Sequence, residues 1–313
     1  MIHDTAIPTE LLDHLRQLHQ SAPDALDSDL PEYGLEPLSG GRNNRVYRWQ
    51  SPTGDICLKL YKTDKRDRAA CEFHALTHLA EHGVMSAPKA LWHDPHEELP
   101  AVAMTLEPGE PVPNLSTGHR HDALRAGVDV LRQVRELPLG YFVELPRVDS
   151  ASNYMRRITE VWPKQLDESA DDPLTGDLLK LLDIWRDQGN ADVLAQPAPR
   201  VLSHGDANLL NWLWTNEECR IVDWEFTGYS DAAYDAAELI EHLSAHDIDD
   251  DTWISLLPNL GIVDDSTHRR FLAAQRTVSL RWLSVLWKRR HKRVEEFDLQ
   301  RQRAERVLTT DFF

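Results

Sequence analysis

The chain has 313 residues, 41% of them hydrophobic and 27% charged, a globular balance that excludes a wholly disordered protein. Asp and Glu number 52 against 34 Lys and Arg, a formal charge of −18, which argues against broad binding to nucleic-acid phosphates or anionic lipid. No apolar run reaches the length of a membrane span, the N-terminus lacks a basic region followed by an apolar stretch, and Cys57, Cys71 and Cys219 are odd in number and widely spaced; the expectation is a reduced, cytoplasmic protein with no membrane, nucleic-acid or zinc partner.

In chain order, residues 9–20 predict a short amphipathic helix and 21–32 an acidic loop. Short β-prone runs follow at Tyr33–Leu38, Val46–Gln50 and Ile56–Tyr61, with turns at Ser39-Gly40-Gly41 and Ser51–Asp55 of the kind hairpins use. Residues 65–82 predict a helix ending near Gly83. Strands are expected around Lys89–Trp92 and Ala101–Leu106, and the Pro- and Gly-rich stretch Glu107–Pro113 marks a boundary. Beyond it the periodicity is helical, near 119–136, 151–168, 174–188, 231–245, 251–257, 266–289 and 292–310, broken by a loop and β-hairpin over 201–223. The fold class is α+β, with a helical extension over 1–30, a sheet-plus-helix lobe over 31–106 and a helical lobe over 107–313.

Ser203-His204-Gly205-Asp206-Ala207-Asn208-Leu209-Leu210-Asn211, followed by Ile221-Val222-Asp223-Trp224-Glu225, carries the sharpest chemistry. If Leu210–Trp214 and Cys219–Asp223 pair as a hairpin, cross-strand geometry brings Asn211 and Asp223 to its open end. Asp206 lies on the loop feeding that end. Carboxylate and amide oxygens are the donors a hard cation such as Mg2+ takes. Singly, such residues usually serve turns and caps; the joint spacing is what distinguishes them.

Two further signals lie upstream. The turn carrying Gly40, Gly41 and Asn44 joins two predicted strands, and its glycines let backbone N–H groups approach phosphates. It is neither a P-loop nor a Rossmann fingerprint. Lys59 sits inside an apolar strand, where an ammonium needs a partner or a solvated face. Glu72, on an otherwise apolar helix stripe, is the nearest candidate partner. Alternatively Lys59 faces outward, and Glu72 reaches solvent or pairs with Arg68.

The order of glycine turn, strand lysine, helix glutamate, hinge, H-G-D-x-x-x-x-N loop and strand-closing Asp follows the protein-kinase ground plan. Its wording resembles the aminoglycoside phosphotransferase and choline-kinase-like family of small-molecule kinases, over roughly residues 33–245. The segment Gly228–Asp235 also looks like the family's continuation after the metal Asp. The resemblance implies a bilobal protein-kinase-like fold and transfer of the γ-phosphate of ATP, or GTP, to a hydroxyl of a small molecule. It implies Asp206 as catalytic base, Asn211 and Asp223 as Mg2+ ligands, Lys59 on the α- and β-phosphates steadied by Glu72, and backbone around Gly40–Asn44 over the phosphates. Thr105, Leu106 and Glu107 would meet the purine. His204 would hold the catalytic loop, and Asp235 would tie down the catalytic segment and cap the next helix. The chain departs from the pattern in lacking G-x-G-x-x-G, and in carrying Asn208 where the family often has His.

Two other classes compete. A nucleotide-binding pseudokinase or regulatory module would normally have lost Lys59, Asp206 or Asp223. A metal-dependent hydrolase would need further ligands, such as His242 and His246 four apart on a predicted helix. The partners expected are the nucleotide and a small acceptor (an aminoglycoside or other antibiotic, an amino alcohol, an amino acid or a sugar), bound by a monomer or homodimer. Glu225, Glu238, Glu241 and the Asp247–Asp251 stretch are candidates to receive a cationic acceptor, with solvent-facing charge the alternative for most of them; Trp282 and Trp287 are candidates to wall its pocket, although their spacing of five does not share one face and points to one as core. The basic run Lys288–Arg293 is a solvated helix end, or a site for an anionic group.

Overall fold

The computed structural model describes residues 9–21, 30–38, 44–51 and 54–310. The chain divides into one unit comprising residues 1–110 and 213–227 and a second comprising 111–212 and 228–313. It therefore returns to the first unit late in sequence, where a single cut after residue 106 was expected. Among the described residues no helix is long and apolar enough to cross a membrane.

The first unit opens with α1 (Thr9–Ser21), then β1 (Leu35–Pro37), β2 (Arg45–Ser51), β3 (Gly54–Leu60), α2 (Arg68–Glu81), β4 (Ala90–Asp94) and β5 (Ala101–Thr105). The strands form an antiparallel sheet in the order β1-β2-β3-β5-β4. Alternation dictates its buried face, because successive side chains point to opposite sides. Tyr47 and Trp49 of β2 and Ile56, Leu58 and Leu60 of β3 are buried together with Leu11, Leu12 and Leu15 of α1. The N-terminal helix is thus part of this unit's core. Leu30–Tyr33 form a 3-10 turn, so β1 starts at Leu35, later than expected. Helix α2 starts at Arg68 because the Asp67 side chain caps it, accepting from Ala70 N at 3.3 Å. Its apolar stripe buries Ala69, Ala75, Leu76 and Leu79, and carries Glu72 inward with them. Gly40 and Gly41, with Arg42 and Asn43, lie outside the described residues.

After β6 (Glu110–Pro111) the second unit carries α3 (Thr117–Glu136). The single helix expected over 151–168 is divided into α4 (Ala151–Arg156), a π turn (Arg157–Val161) and α5 (Trp162–Asp167). Pro163 has no N–H for the carbonyl four residues back and crowds it, so the preceding turn opens. Then come α6 (Thr175–Asp187) and α7 (Asn190–Ala195), separated by Gly189 at φ 67. Helix α7 was not expected.

Strands β7 (Val201–Ser203), β8 (Trp212–Trp214), β9 (Cys219–Ile221) and β10 (Gly228–Ser230) follow. β7 pairs antiparallel with β10, while β8 and β9 join β6 in a separate sheet. Four helices complete the chain: α8 (Ala232–Glu241), α9 (Asp250–Leu256), α10 (Asp265–Trp287) and α11 (Val294–Thr309). Leu280, Leu283 and Leu286 of α10 are buried with Trp162, Trp185 and Trp287. Trp287 is therefore a core residue. The basic run beyond it is partly consumed internally, Arg290 lying 2.9 Å from Asp172 and stacking on the Trp287 ring.

Candidate functional site

In the first unit the chemistry gathers around Lys59. The residue is 5% exposed, and Nζ lies 2.7 Å from Glu72 Oε2, 3.0 Å from Glu225 Oε2 and in contact with Asp223 Oδ1. The expected Lys59–Glu72 pair therefore forms, and Lys59 does not face outward. Both oxygens of Glu72 are engaged, one also by the Tyr61 hydroxyl and the other by Trp224 N at 3.0 Å. Burial opposes the charge on Lys59, but Asp223, Glu72 and Glu225 outweigh it and hold the ammonium well above the ordinary lysine range. The same burial, with Glu72 alongside, pushes the Tyr61 hydroxyl up.

Arg68 does not take Glu72. It pairs with Asp64 at 2.5 Å and reaches Glu225 Oε1 at 3.2 Å. Glu225, 1% exposed, also accepts from the Asn44 amide. It is thus bound into the lysine cluster, not set out for an acceptor as the sequence suggested. Desolvation raises its pKa, with Asp223 and Glu72 adding to that and Lys59 opposing it. Carboxylate oxygens of Glu72, Asp223 and Glu225 all lie within 4.8 Å of one another.

Asp223 falls beyond β9 and has φ 68, a left-handed conformation costly for a side-chain-bearing residue. The segment after it is pinned by Arg66, which donates to the carbonyls of Phe226 (3.2 Å) and Thr227. At the hinge, Thr105 Oγ donates to Glu107 Oε1 at 2.5 Å and accepts from Lys89 N at 2.8 Å. Glu107 also pairs with Arg220 at 2.7 Å. The side chains on either side of Leu106 are thereby fixed.

In the second unit the loop after β7 holds Asp206. Its Oδ1 accepts from Asn208 N at 3.0 Å, and its Oδ2 from Asn211 Nδ2 at 2.9 Å. Asn211 closes a 3-10 turn over Leu209–Asn211 and is not in a strand as expected. Asn208 caps that turn, accepting from Leu210 N at 3.1 Å. The His204 ring donates from Nδ1 to the Asp206 carbonyl at 2.6 Å, so His204 is the loop's brace, as expected.

Arg147 was not singled out in the sequence, where only its place among apolar neighbours sets it apart. It is buried, lies 2.7 Å from Asp235 and donates to the Gly205 carbonyl at 3.0 Å. Asp235 therefore ties down the loop through Arg147. The cap of α8 is Asp231, whose side chain accepts from Tyr234 N at 2.9 Å, and not Asp235.

The acidic residues expected near an acceptor are mostly committed to internal partners. Glu238 accepts from the hydroxyls of Tyr154 (3.1 Å) and Tyr234 (3.2 Å), with Arg147 at 3.7 Å. Glu241 is fully buried against Arg303 at 2.6 Å and Gln275 at 2.8 Å. Asp249 caps α9, and Asp250 holds Arg303 and Arg306 at 2.6 and 3.2 Å. The histidine pair of a hydrolase is not formed on a helix either. α8 stops at Glu241, and His242 is extended, its Nδ1 2.7 Å from Ser244 Oγ. Burial, with the charges of Arg281, His246 and Arg147, pushes the His242 ring down to about 3.

Residues 34–274 match the model of a phosphotransferase enzyme family, APH. No curated protein matches the chain. Among solved structures, a choline/ethanolamine kinase family protein from Mesorhizobium loti is 18% identical with a TM-score of 0.61, over 96% of this chain and 95% of that one. Spectinomycin phosphotransferase APH(9)-Ia, in complex with ADP and spectinomycin, is 16% identical with a TM-score of 0.60, over 88% and 93%. A GDP complex of an aminoglycoside 2'-phosphotransferase is 15% identical with a TM-score of 0.62, over 95% and 96%. At these identities the likeness establishes a shared protein-kinase-like fold.

Proposed function

This chain belongs to the phosphotransferase enzyme family, and on that premise we propose that it transfers the γ-phosphoryl group of ATP, or GTP, to a hydroxyl of a small molecule. The observation that carries the reading is the buried Lys59–Glu72 pair at 2.7 Å. An ion pair withdrawn from water costs desolvation that a hydrophobic pair would avoid, and its use is to hold an ammonium ready for nucleotide phosphates. The solved relatives in complex with ADP or GDP add support for a nucleotide co-substrate.

Within this reading Asp206 accepts the proton of the attacking hydroxyl. Its two oxygens are already oriented by Asn208 and Asn211, so little reorganisation precedes the transfer. The donor set fits Mg2+: an amide oxygen on Asn211 and a carboxylate on Asp223 are hard oxygen ligands. When bound, the ion neutralises charge on the phosphate oxygens. Lys59 contacts the α- and β-phosphates, and Glu72 fixes its direction. Asn44 is assigned to the phosphates together with Gly40 and Gly41, which lie outside the described residues, and backbone of Thr105, Leu106 and Glu107 meets the base. Arg147, acting through Gly205, is a positioning residue for the loop.

The test is nucleotide-dependent phosphate transfer to a panel of alcohols, with ATP and GTP, before and after chelation of divalent ions. Transfer that is lost on chelation and in Asp206→Ala supports the mechanism; undiminished transfer in Asp206→Ala overturns it.

A further inference from the structure

In the second unit, the carboxylates nominated for a cationic acceptor are largely bound to the protein's own arginines, tyrosines and helix caps. The incompletely matched groups near the Asp206 loop are cations. Arg281, on α10, stacks between the rings of Tyr154 and Trp282, its guanidinium carbon 4.5 and 4.2 Å from their centroids. Its direct carboxylate contact among the described residues is the half-exposed Asp149, at 3.4 Å, with the charge of Glu238 also felt across the Tyr154 hydroxyl. Arg281 Nη1 and Trp282 Nε1 are buried with no hydrogen-bond partner, a costly arrangement unless a ligand or water completes it.

A second arginine joins this face from another element. Arg157 begins the π turn between α4 and α5, and π turns recur at functional sites. Its Nε donates to Ser284 Oγ at 2.7 Å and its Nη2 to the Ser284 carbonyl at 3.3 Å. Ser284 lies one turn beyond Arg281 and donates to the Arg281 carbonyl at 2.7 Å, so the two guanidinium groups share one stretch of α10. Among the described residues Arg157 has only these neutral partners. Burial and the Arg281 charge lower the Arg157 pKa.

The face connects to the Asp206 loop twice. Trp282 meets His242 edge-on at 4.9 Å between centroids; His242 contacts Ser244, whose Oγ accepts from Leu209 N at 2.9 Å. On the other side Tyr154 reaches Glu238, and Glu238 and Asp235 flank Arg147, which holds Gly205.

Resting on the kinase reading, we propose that the phosphate acceptor is an alcohol carrying a compact oxyanion, a carboxylate or phosphate group, received by Arg157 and Arg281 beside the rings of Tyr154 and Trp282. Guanidinium groups only donate, so the N–H groups left over, Arg281 Nη1 among them, suit an oxyanion and not an ammonium group.

The experiment compares glycerate and glycerol 3-phosphate with glycerol, ethanolamine, choline and an aminoglycoside, both as acceptors with Mg-ATP and as ligands in calorimetry with a non-hydrolysable nucleotide. The two oxyanions distinguish carboxylate from phosphate. The expected result is binding and transfer favouring an oxyanion-bearing alcohol at least 10-fold over glycerol, with KM raised 10-fold or more in Arg281→Gln and Arg157→Gln, kcat changed far less, and partial recovery in Arg281→Lys. Transfer confined to cationic or neutral alcohols overturns the proposal and leaves the kinase reading standing, as does an oxyanion KM unchanged in both glutamine variants. If no alcohol is phosphorylated, the kinase reading fails; calorimetric binding of glycerol 3-phosphate that disappears in Arg281→Gln then still supports the oxyanion site, and its absence overturns that too.

Discussion

The Asn211 side chain donates to Asp206 Oδ2 at 2.9 Å; in the proposed mechanism one amide would therefore orient the carboxylate that takes the proton and offer its own oxygen to a cation. Asn211→Ala removes both services. The expected outcome is a fall in kcat of about 100-fold, within the range attributed to a positioned acid or base, together with a rise in the Mg2+ concentration needed for half-maximal rate. Steady-state rates across an Mg2+ titration check it. A variant that loses rate but titrates with Mg2+ as the wild type does would confine Asn211 to orienting Asp206.

Lys59 is the cation among Glu72, Asp223 and Glu225. Lys59→Met keeps much of the side chain's volume but removes the ammonium from three close carboxylates, of which Glu225 retains Arg68. Breaking a buried pair in this way destabilises by about 3–5 kcal/mol. Urea unfolding should show that loss, and nucleotide binding should weaken in parallel. In the double variant Lys59→Met with Glu72→Gln, part of the stability should return.

Glu225 makes a different forecast from the one its sequence position suggests. Bound to Lys59, Arg68 and Asn44, it should act on nucleotide handling. Glu225→Gln is expected to raise the nucleotide KM several-fold and leave the acceptor KM close to that of the wild type. The reverse pattern in initial-rate kinetics would return Glu225 to the acceptor.

His242 gives a pH-dependent stability. An unfolded histidine takes up a proton near pH 6.5, whereas the folded ring is held down to about 3 by burial and the charges of Arg281, His246 and Arg147. Its contribution is therefore complete above about pH 6.5 and is lost as pH falls toward 3, at up to about 1.4 kcal/mol per pH unit. Denaturant unfolding between pH 7 and 5 should show a flatter profile in His242→Gln than in the wild type. Parallel profiles would mean that the ring is not held neutral.

The sequence by itself determined what lies close along the chain or follows a simple period. The Asp206–Asn211 spacing fits one loop and one 3-10 turn, and β3 alternation with the α2 stripe brings Lys59 to Glu72. Periodicity made that pairing one of the readable alternatives, and burial of both side chains selected it over an outward Lys59 or a Glu72–Arg68 pair. Helix ends were less so: α8 stops at Glu241 rather than running to residue 245, because His242 turns to Ser244, a choice no periodicity records. Tertiary structure alone decided the fate of the charges. Glu241 finds Arg303, separated by 62 residues; Gly205 is held by Arg147, separated by 58; and Glu225 is drawn to Lys59. A buried carboxylate takes whichever cation packing delivers within a few ångströms, since the cost of leaving it unpaired exceeds any local preference. That selection turned most of the acidic residues that looked available to a cationic substrate into internal partners. Arg157, held by the neutral Ser284, and Arg281, stacked on Tyr154 and Trp282, are the charges assigned to an acceptor in the proposal above.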